Sequence, residues 1–205
     1  MQLYTSSLCP FAHRVRLVLA EKGLEMPQVE VDPRQKRVPA LEVDGRELME
    51  SAVISEYLDE IFVEPALMPR PPLLRAAARQ WIHFADERLY PHTRGLLYAA
   101  TESERPRLRT EIREDLRIME AHLASQPGGY WMGDDFTLVD ATFFPWFEQR
   151  CAIEAFRGFV WPEVFVALEQ WRARVAARPA VSAISKPQDF YLNTYGAMAV
   201  AREIR

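Results

Sequence analysis

The spacing of apolar and polar residues divides the chain into two regimes. In the first, roughly residues 1–62, short β-like runs alternate with helical ones. "QLYT" reads as a strand. Phe11, Val15, Val18 and Leu19 then recur at helical spacing, with Pro10 where a first turn tolerates proline and Gly23 as a candidate C-cap. "QVEV" reads as a second strand. "ALEV-DG-RELM" is a hairpin signal, because Asp44-Gly45 suits a tight turn between two β-like runs. Ser51 follows at an N-cap-like position, and Ile54, Tyr57, Leu58 and Ile61 mark one helix face. The predicted order is β-α-β, a hairpin, then a helix.

"VEPALMPRPP" holds four prolines in ten residues and can sustain neither a helix nor a central strand, so residues 63–72 read as a linker. Beyond it the period is helical throughout. Residues 73–99 form one long candidate helix containing Trp81, Phe84 and Leu89. Leu108, Ile112, Met119 and Leu123 give the next stripe, which "PGG" ends at 127–129. Thr137-Leu-Val-Asp140 is a capping-box pattern with aspartate in place of Glu or Gln, and its loss is expected to cost about 1 kcal/mol. Phe136 before it is a candidate staple, and Trp146 and Phe147 behind it read as core. Val164, Leu168, Trp171 and Val175 mark a further helix before Pro179. A small mixed α/β domain over 1–62 is thus followed by a linker at 63–72 and an all-helical domain over 73–205.

Composition narrows the classes of function. The 205 residues carry a net charge of -4, and arginines are interleaved with acids, so no basic footprint for nucleic acid is expected. No apolar run approaches membrane-span length, and "MQLYTSS" lacks the marks of a signal peptide. Two cysteines far apart make no disulfide framework, which suits a cytoplasmic protein. Metal is not expected.

Cys9 carries the candidate chemistry. It sits between a strand end and a helix start, where first-turn N–H groups and the macrodipole lower a thiol pKa. The alternative is a small buried apolar residue. The strand–Cys–Pro–helix context favours the nucleophile, whereas Cys151, in a helical and aromatic-rich segment, reads as core. The expectation is a Cys9 pKa below the free-cysteine value of about 8.5. The motif Cys9-Pro10-Phe11-Ala12 lacks a second thiol. A mixed disulfide on Cys9 must therefore be resolved by an external thiol, which points toward glutathione. His13 and Arg14 either add positive charge near the thiolate or are ordinary exposed helix residues.

With these residues in view, the chain resembles the glutathione transferase superfamily over nearly its whole length, most closely the omega-like, cysteine-type bacterial members. The likeness is carried by "LYTSSLCPFAHRVRLVLAEKG", "RVPALEVDGRELMESAVISEYLDEIF", "FTLVDATFFPWFEQ" and "RPAVSAI", in order around the proline-rich linker. It implies a thioredoxin-like α/β domain followed by an all-α domain, with glutathione as co-substrate. Cys9 matches the catalytic cysteine and Phe11 the residue beside the bound tripeptide. Val38-Pro39 matches the cis-proline step that pairs with the cysteinyl part of glutathione, and Glu50-Ser51 the pair that holds its γ-glutamyl end. Arg37 stands where members often carry a polar or basic residue near the glycyl carboxylate. One departure is visible. Only "DPRQKR" separates "VEV" from "VPAL", too few residues for the helix that members usually carry there, so a single turn and a more open glycyl end are expected.

The resemblance implies thiol transfer or reduction of a small oxidised or electrophilic substrate, with dehydroascorbate reduction as a sub-case. Partners are then glutathione, a small-molecule or disulfide acceptor, and a second copy of the chain in a homodimer. Tyr90, His92 and Tyr98, with the tail aromatics Phe190, Tyr191 and Tyr195, are candidates for the acceptor pocket. The alternative is a non-catalytic binding protein similar to the RNA polymerase-associated stringent starvation protein A group, which needs no activated thiol.

Overall fold

A computed structural model describes the backbone of residues 1–99 and 101–203 and the side chains of 1–98 and 101–197; Ala100, Ile204 and Arg205, within the expected helical domain, lie outside it. The first part is a four-stranded sheet with two helices. Strands β1 (Gln2–Thr5), β2 (Gln28–Glu30), β3 (Ala40–Val43) and β4 (Arg46–Leu48) lie in the order β2-β1-β3-β4. β2 runs parallel to β1, and the other two pairs are antiparallel. The β3–β4 turn is the one expected. Asp44 and Gly45 both take positive φ, 49° and 75°, the combination for which an Asp-Gly pair is suited. Helix α1 (Pro10–Glu21) starts at proline and stops before Gly23, whose φ of 62° lets the chain reverse without a Cβ clash. Helix α2 (Ser51–Ile61) buries Ile54 and Leu58, while Ile61, expected on the same face, is exposed.

The proline-rich stretch is non-helical, as expected, but it is pinned. Asp59 accepts hydrogen bonds from the backbone N–H groups of Leu67 and Met68, and both side chains are buried. The buried Lys22 ammonium pairs with Asp59 at 2.7 Å and donates to the carbonyls of Phe62 and Pro65. The Glu64-Pro65 bond is cis.

The helical part begins with α3 (Pro72–Phe84), which continues through a π-helical turn (Ala85–Leu89) into α4 (Tyr90–Arg94) and a second π turn (Gly95–Ala99). The single long helix expected here is therefore continuous but twice widened. Helices α5 (Arg105–Ser125), α6 (Leu138–Gln149), α7 (Cys151–Arg157), α8 (Val166–Ala176), α9 (Pro179–Ile184) and α10 (Gln188–Glu203) follow. The stripe Leu108, Ile112, Met119 and Leu123 is buried, as are Leu168, Trp171 and Val175. Val164 is not part of that face: it precedes α8 and is 74% exposed. Trp131 stacks on Phe143 at 4.1 Å and meets Trp171 edge-on, forming the aromatic centre of this part.

Thr137 caps α6 and Asp140 completes the box, but Asp140 does more than the motif requires. Its Oδ2 accepts from the Thr137 backbone N–H and hydroxyl, both at 2.8 Å. Its Oδ1 accepts from Trp131 N–H at 2.9 Å and Trp171 Nε1 at 2.7 Å. The residue is 0% exposed. Removing it strands buried donors on three residues, each costing about 1–3 kcal/mol if unsatisfied. Asp140→Ala should therefore destabilise the protein by about 3 kcal/mol or more, above the ordinary cost of a lost cap. Urea melts check this; a loss of only about 1 kcal/mol would mean that the tryptophan donors find water instead.

Candidate functional site

Cys9 occupies the N-cap of α1. Its carbonyl accepts the first helical bond, from His13 N–H at 2.9 Å, and its own N–H donates to Ser6 at 3.1 Å. The sulfur is half-buried and lies 3.7 Å from the Val38 carbonyl, toward which its S–H points. Val38-Pro39 is a cis bond, as the resemblance implied, and Pro39 is buried at the base of β3. The two halves of the expected constellation, far apart in sequence, thus meet at the sulfur. Phe11 sits in the first turn of α1, with its ring 4.7 Å from that of Tyr90.

Glu50 and Ser51 form the junction of β4 and α2. Ser51 was expected as the cap; the cap is Glu50, and Ser51 is the first helical residue, 5% exposed. Glu50 holds φ 66° and ψ 115°, a backbone conformation unusual for a non-glycine residue and of the kind that clusters at ligand sites. Its side chain pairs with Arg37 at 2.5 Å, and both are exposed. The "DPRQKR" segment forms one turn closed by Asp32, whose carbonyl accepts from Gln35 and Lys36, so the short connection carries no helix.

Burial works against the low pKa expected of Cys9. Burial pushes the thiol above its ordinary value; the backbone N–H groups of Ala12 and Phe11, then Arg16 and Arg14, pull in the other direction and do not prevail. The helix terminus acts as expected, but a sulfur tucked against Val38 loses more by desolvation. Cys151 is buried, as expected, and burial also raises its thiol.

His13 and Arg14 are not exposed helix residues; each is 1% exposed. Arg14 binds Asp86 with both Nη atoms, at 2.7 and 3.3 Å, and lies over the rings of Phe11 and Tyr90. His13 Nε2 lies 2.6 Å from Glu148 Oε2. Arg16, which the sequence reading passed over, donates to Thr5 Oγ1, the Ser6 carbonyl and His13 Nδ1. The signal for it was the crowding of charged side chains on a helix whose apolar residues already occupy most of its circumference. Of the acceptor-pocket candidates, Tyr90 is buried with its hydroxyl on the Thr142 carbonyl, and His92 is held by Asp115 at 2.6 Å. Tyr98, Tyr191 and Tyr195 gather in one cluster with Leu8, the neighbour of Cys9, and Phe190 packs against it.

Comparison with known proteins places this geometry among relatives. The glutathione S-transferase N-terminal domain matches residues 3–66 and the C-terminal domain residues 102–174. The chain is 31% identical over 188 residues to glutathione S-transferase U19 of Arabidopsis thaliana, covering 84% of this chain and 83% of that one. It is 27% identical over 202 residues to glutathione S-transferase omega-1 of Sus scrofa, covering 92% and 82%. The structure of rice GST1 in complex with glutathione superposes with a TM-score of 0.86 at 27% identity, over 98% of this chain and 96% of that one.

The site makes a pH prediction with a definite sign. A raised thiol pKa leaves less thiolate at neutral pH, so alkylation of Cys9 should keep accelerating above pH 8.5, where a free cysteine is already half ionised. Alkylation across pH, with the modified peptide located by mass spectrometry, checks it. A plateau near neutrality would show that the helix terminus outweighs burial.

Proposed function

This chain belongs to the glutathione S-transferase family, and on that premise we propose that it is an omega-like, cysteine-type enzyme whose Cys9 exchanges thiols with glutathione. The observation that carries the reading is a cysteine sulfur at the N-cap of α1, beside the cis Val38-Pro39 step. In this reading Phe11, Val38 and Pro39 line the cysteinyl part of glutathione. Glu50 and Ser51 take its γ-glutamyl end, where the first N–H groups of α2 suit a carboxylate. Arg37 stands at the glycyl end, already paired with Glu50 and open to solvent. The glutathione-binding unit is 1–62, the linker 63–72 and the helical unit 73–205. Val53 on α2 and Leu73 at the start of α3 are exposed and apolar, which suits a homodimer, and two free cysteines suit a cytoplasmic setting.

The exchange balances in two steps. Cys9 gives up its proton, and the thiolate attacks the glutathione sulfur of a mixed disulfide R–S–S–G. Cys9–S–S–G forms, and R–S⁻ leaves and is protonated. A second glutathione thiolate then attacks, giving oxidised glutathione and free Cys9. The net reaction consumes one mixed disulfide and one glutathione, and yields one thiol and one oxidised glutathione.

A second reading is favoured by one observation, the burial that keeps the Cys9 proton on sulfur. A protonated Cys9 would donate a hydrogen bond to the thiolate of bound glutathione, which would then attack an electrophilic carbon. Replacing Cys9 with serine separates the two, since serine donates but is too weak an acid to become the nucleophile. Under thiol exchange, Cys9→Ser brings reduction of a 2-mercaptoethanol–glutathione mixed disulfide down to background. Retained conjugation of glutathione to a nitroaryl chloride, with no disulfide reduction in the wild type, would favour the second reading.

The binding assignment has its own test. Ser51 is buried at a helix start and Arg37 is exposed and already paired. Ser51→Ala should weaken glutathione binding more than Arg37→Ala in calorimetric titrations. The reverse order would mean that the glycyl end, and not the γ-glutamyl end, anchors the tripeptide.

A further inference from the structure

Beneath Cys9 lies a chain of polar side chains that the exchange reaction, as written, does not use. Arg16 is half-buried on α1, one turn from His13 and two from Cys9. Its Nη1 donates to Thr5 Oγ1 at 2.6 Å and to the Ser6 carbonyl at 3.0 Å; Ser6 in turn accepts from the Cys9 N–H. Its Nη2 lies 3.1 Å from His13 Nδ1.

That last contact ties the histidine to the guanidinium. A guanidinium has donors only, so Nδ1 must accept, and it can accept only when it carries no proton. Its Nε2 faces Glu148 Oε2 at 2.6 Å. The contact is close but not in line for a full hydrogen bond. The order is then carboxylate, imidazole, guanidinium, and the turn that carries the sulfur. Arg16 is the member of the series that reaches Ser6, whose carbonyl also accepts from the Cys9 N–H.

We propose that Arg16 is the positioning residue for Cys9, tying down the Thr5–Ser6 turn with Nη1 and presenting a fixed cation to the sulfur, while His13 and Glu148 hold the guanidinium in place. The proposal rests on the reading of Cys9 as the reacting sulfur. Its physical logic follows from the burial of that sulfur. A thiol raised by desolvation needs a nearby cation to recover thiolate, and Arg16 is the first such charge acting on it, with Arg14 next. Arg14 is already committed to Asp86 through both Nη atoms, whereas Arg16 donates to the Thr5 hydroxyl and the Ser6 carbonyl. The groups that face Arg16 are Glu30 at the end of β2, Glu148 on α6, Tyr191 on α10 and Cys9 itself. Tyr90 and Tyr195 also face Cys9. A fixed guanidinium acts where a lysine on a flexible stem would hold its place less well, but a lysine keeps the charge.

The test reads the pH midpoint of Cys9 alkylation in the full-length protein, alongside thermal melts. An opposite charge close to a titrating group moves its pKa by about one unit or more. Arg16→Met should raise the midpoint by about one unit, making alkylation about tenfold slower at a fixed pH below both midpoints. Arg16→Lys should restore most of the wild-type midpoint. Thr5→Val keeps the shape of the strand residue and removes one tether, so it should raise the midpoint in the same direction by less; it serves if Arg16→Met does not fold. If Met and Lys shift the midpoint equally, or if no variant shifts it, the proposal is overturned, whatever happens to the melting temperature. Failure of the underlying reading shows separately, as wild-type protein that forms no Cys9–glutathione disulfide.

Discussion

Helix α1 packs against α2, α6 and α9, and most of the polar side chains it carries are buried there with it. Arg14 reaches Asp86, His13 reaches Glu148, and Glu21 holds Arg178 with two bonds of 2.6 Å. Lys22, just past its end, closes on Asp59 and two linker carbonyls. Taking such charges out of water is costly, and the pairs recover that cost only while both partners are present. Removing one member of a buried pair typically costs about 3–5 kcal/mol. The position of α1 relative to the helical part is thus set by partners with one low-energy arrangement. Cys9, at its N-cap, inherits that rigidity.

The same packing explains the chemistry of the sulfur. A helix N-terminus in open water would lower the thiol pKa, and each unit would be worth about 1.4 kcal/mol. Here the N-terminus is half-buried, with the sulfur against the Val38 carbonyl, so the loss of water opposes the gain from the N–H groups. Rigidity and desolvation come together. A site that holds its sulfur in one place beside the cis-proline step also dries it, and the balance has to be restored by charge from within the protein.

Much of this was legible in the sequence because it is local. The Asp44-Gly45 hairpin, the Pro10 start, the stripe on α5 and the Thr137–Asp140 box depend on neighbours within a few residues. The Val38-Pro39 and Glu50-Ser51 assignments came from the resemblance, and the geometry brings Val38 to Cys9. What the sequence leaves open or misplaces is non-local. His13 and Arg14 look like solvated helix residues until Glu148 and Asp86, the latter 72 residues from Arg14, are seen against them. Asp140 reads as a cap and gains two further donors from Trp131 and Trp171, which only the packed core supplies. The thiol shift was misjudged for the same reason: the helix terminus is a sequence feature, whereas burial belongs to the fold.

The central claim is that Cys9 is itself the nucleophile toward glutathione disulfides. The most direct measurement is intact-protein and peptide mass spectrometry after incubation of the reduced wild-type protein with oxidised glutathione. The account predicts one glutathione attached to the peptide containing Cys9, removed by added glutathione, with Cys151 unmodified. An unmodified Cys9 in folded protein that binds glutathione would contradict it.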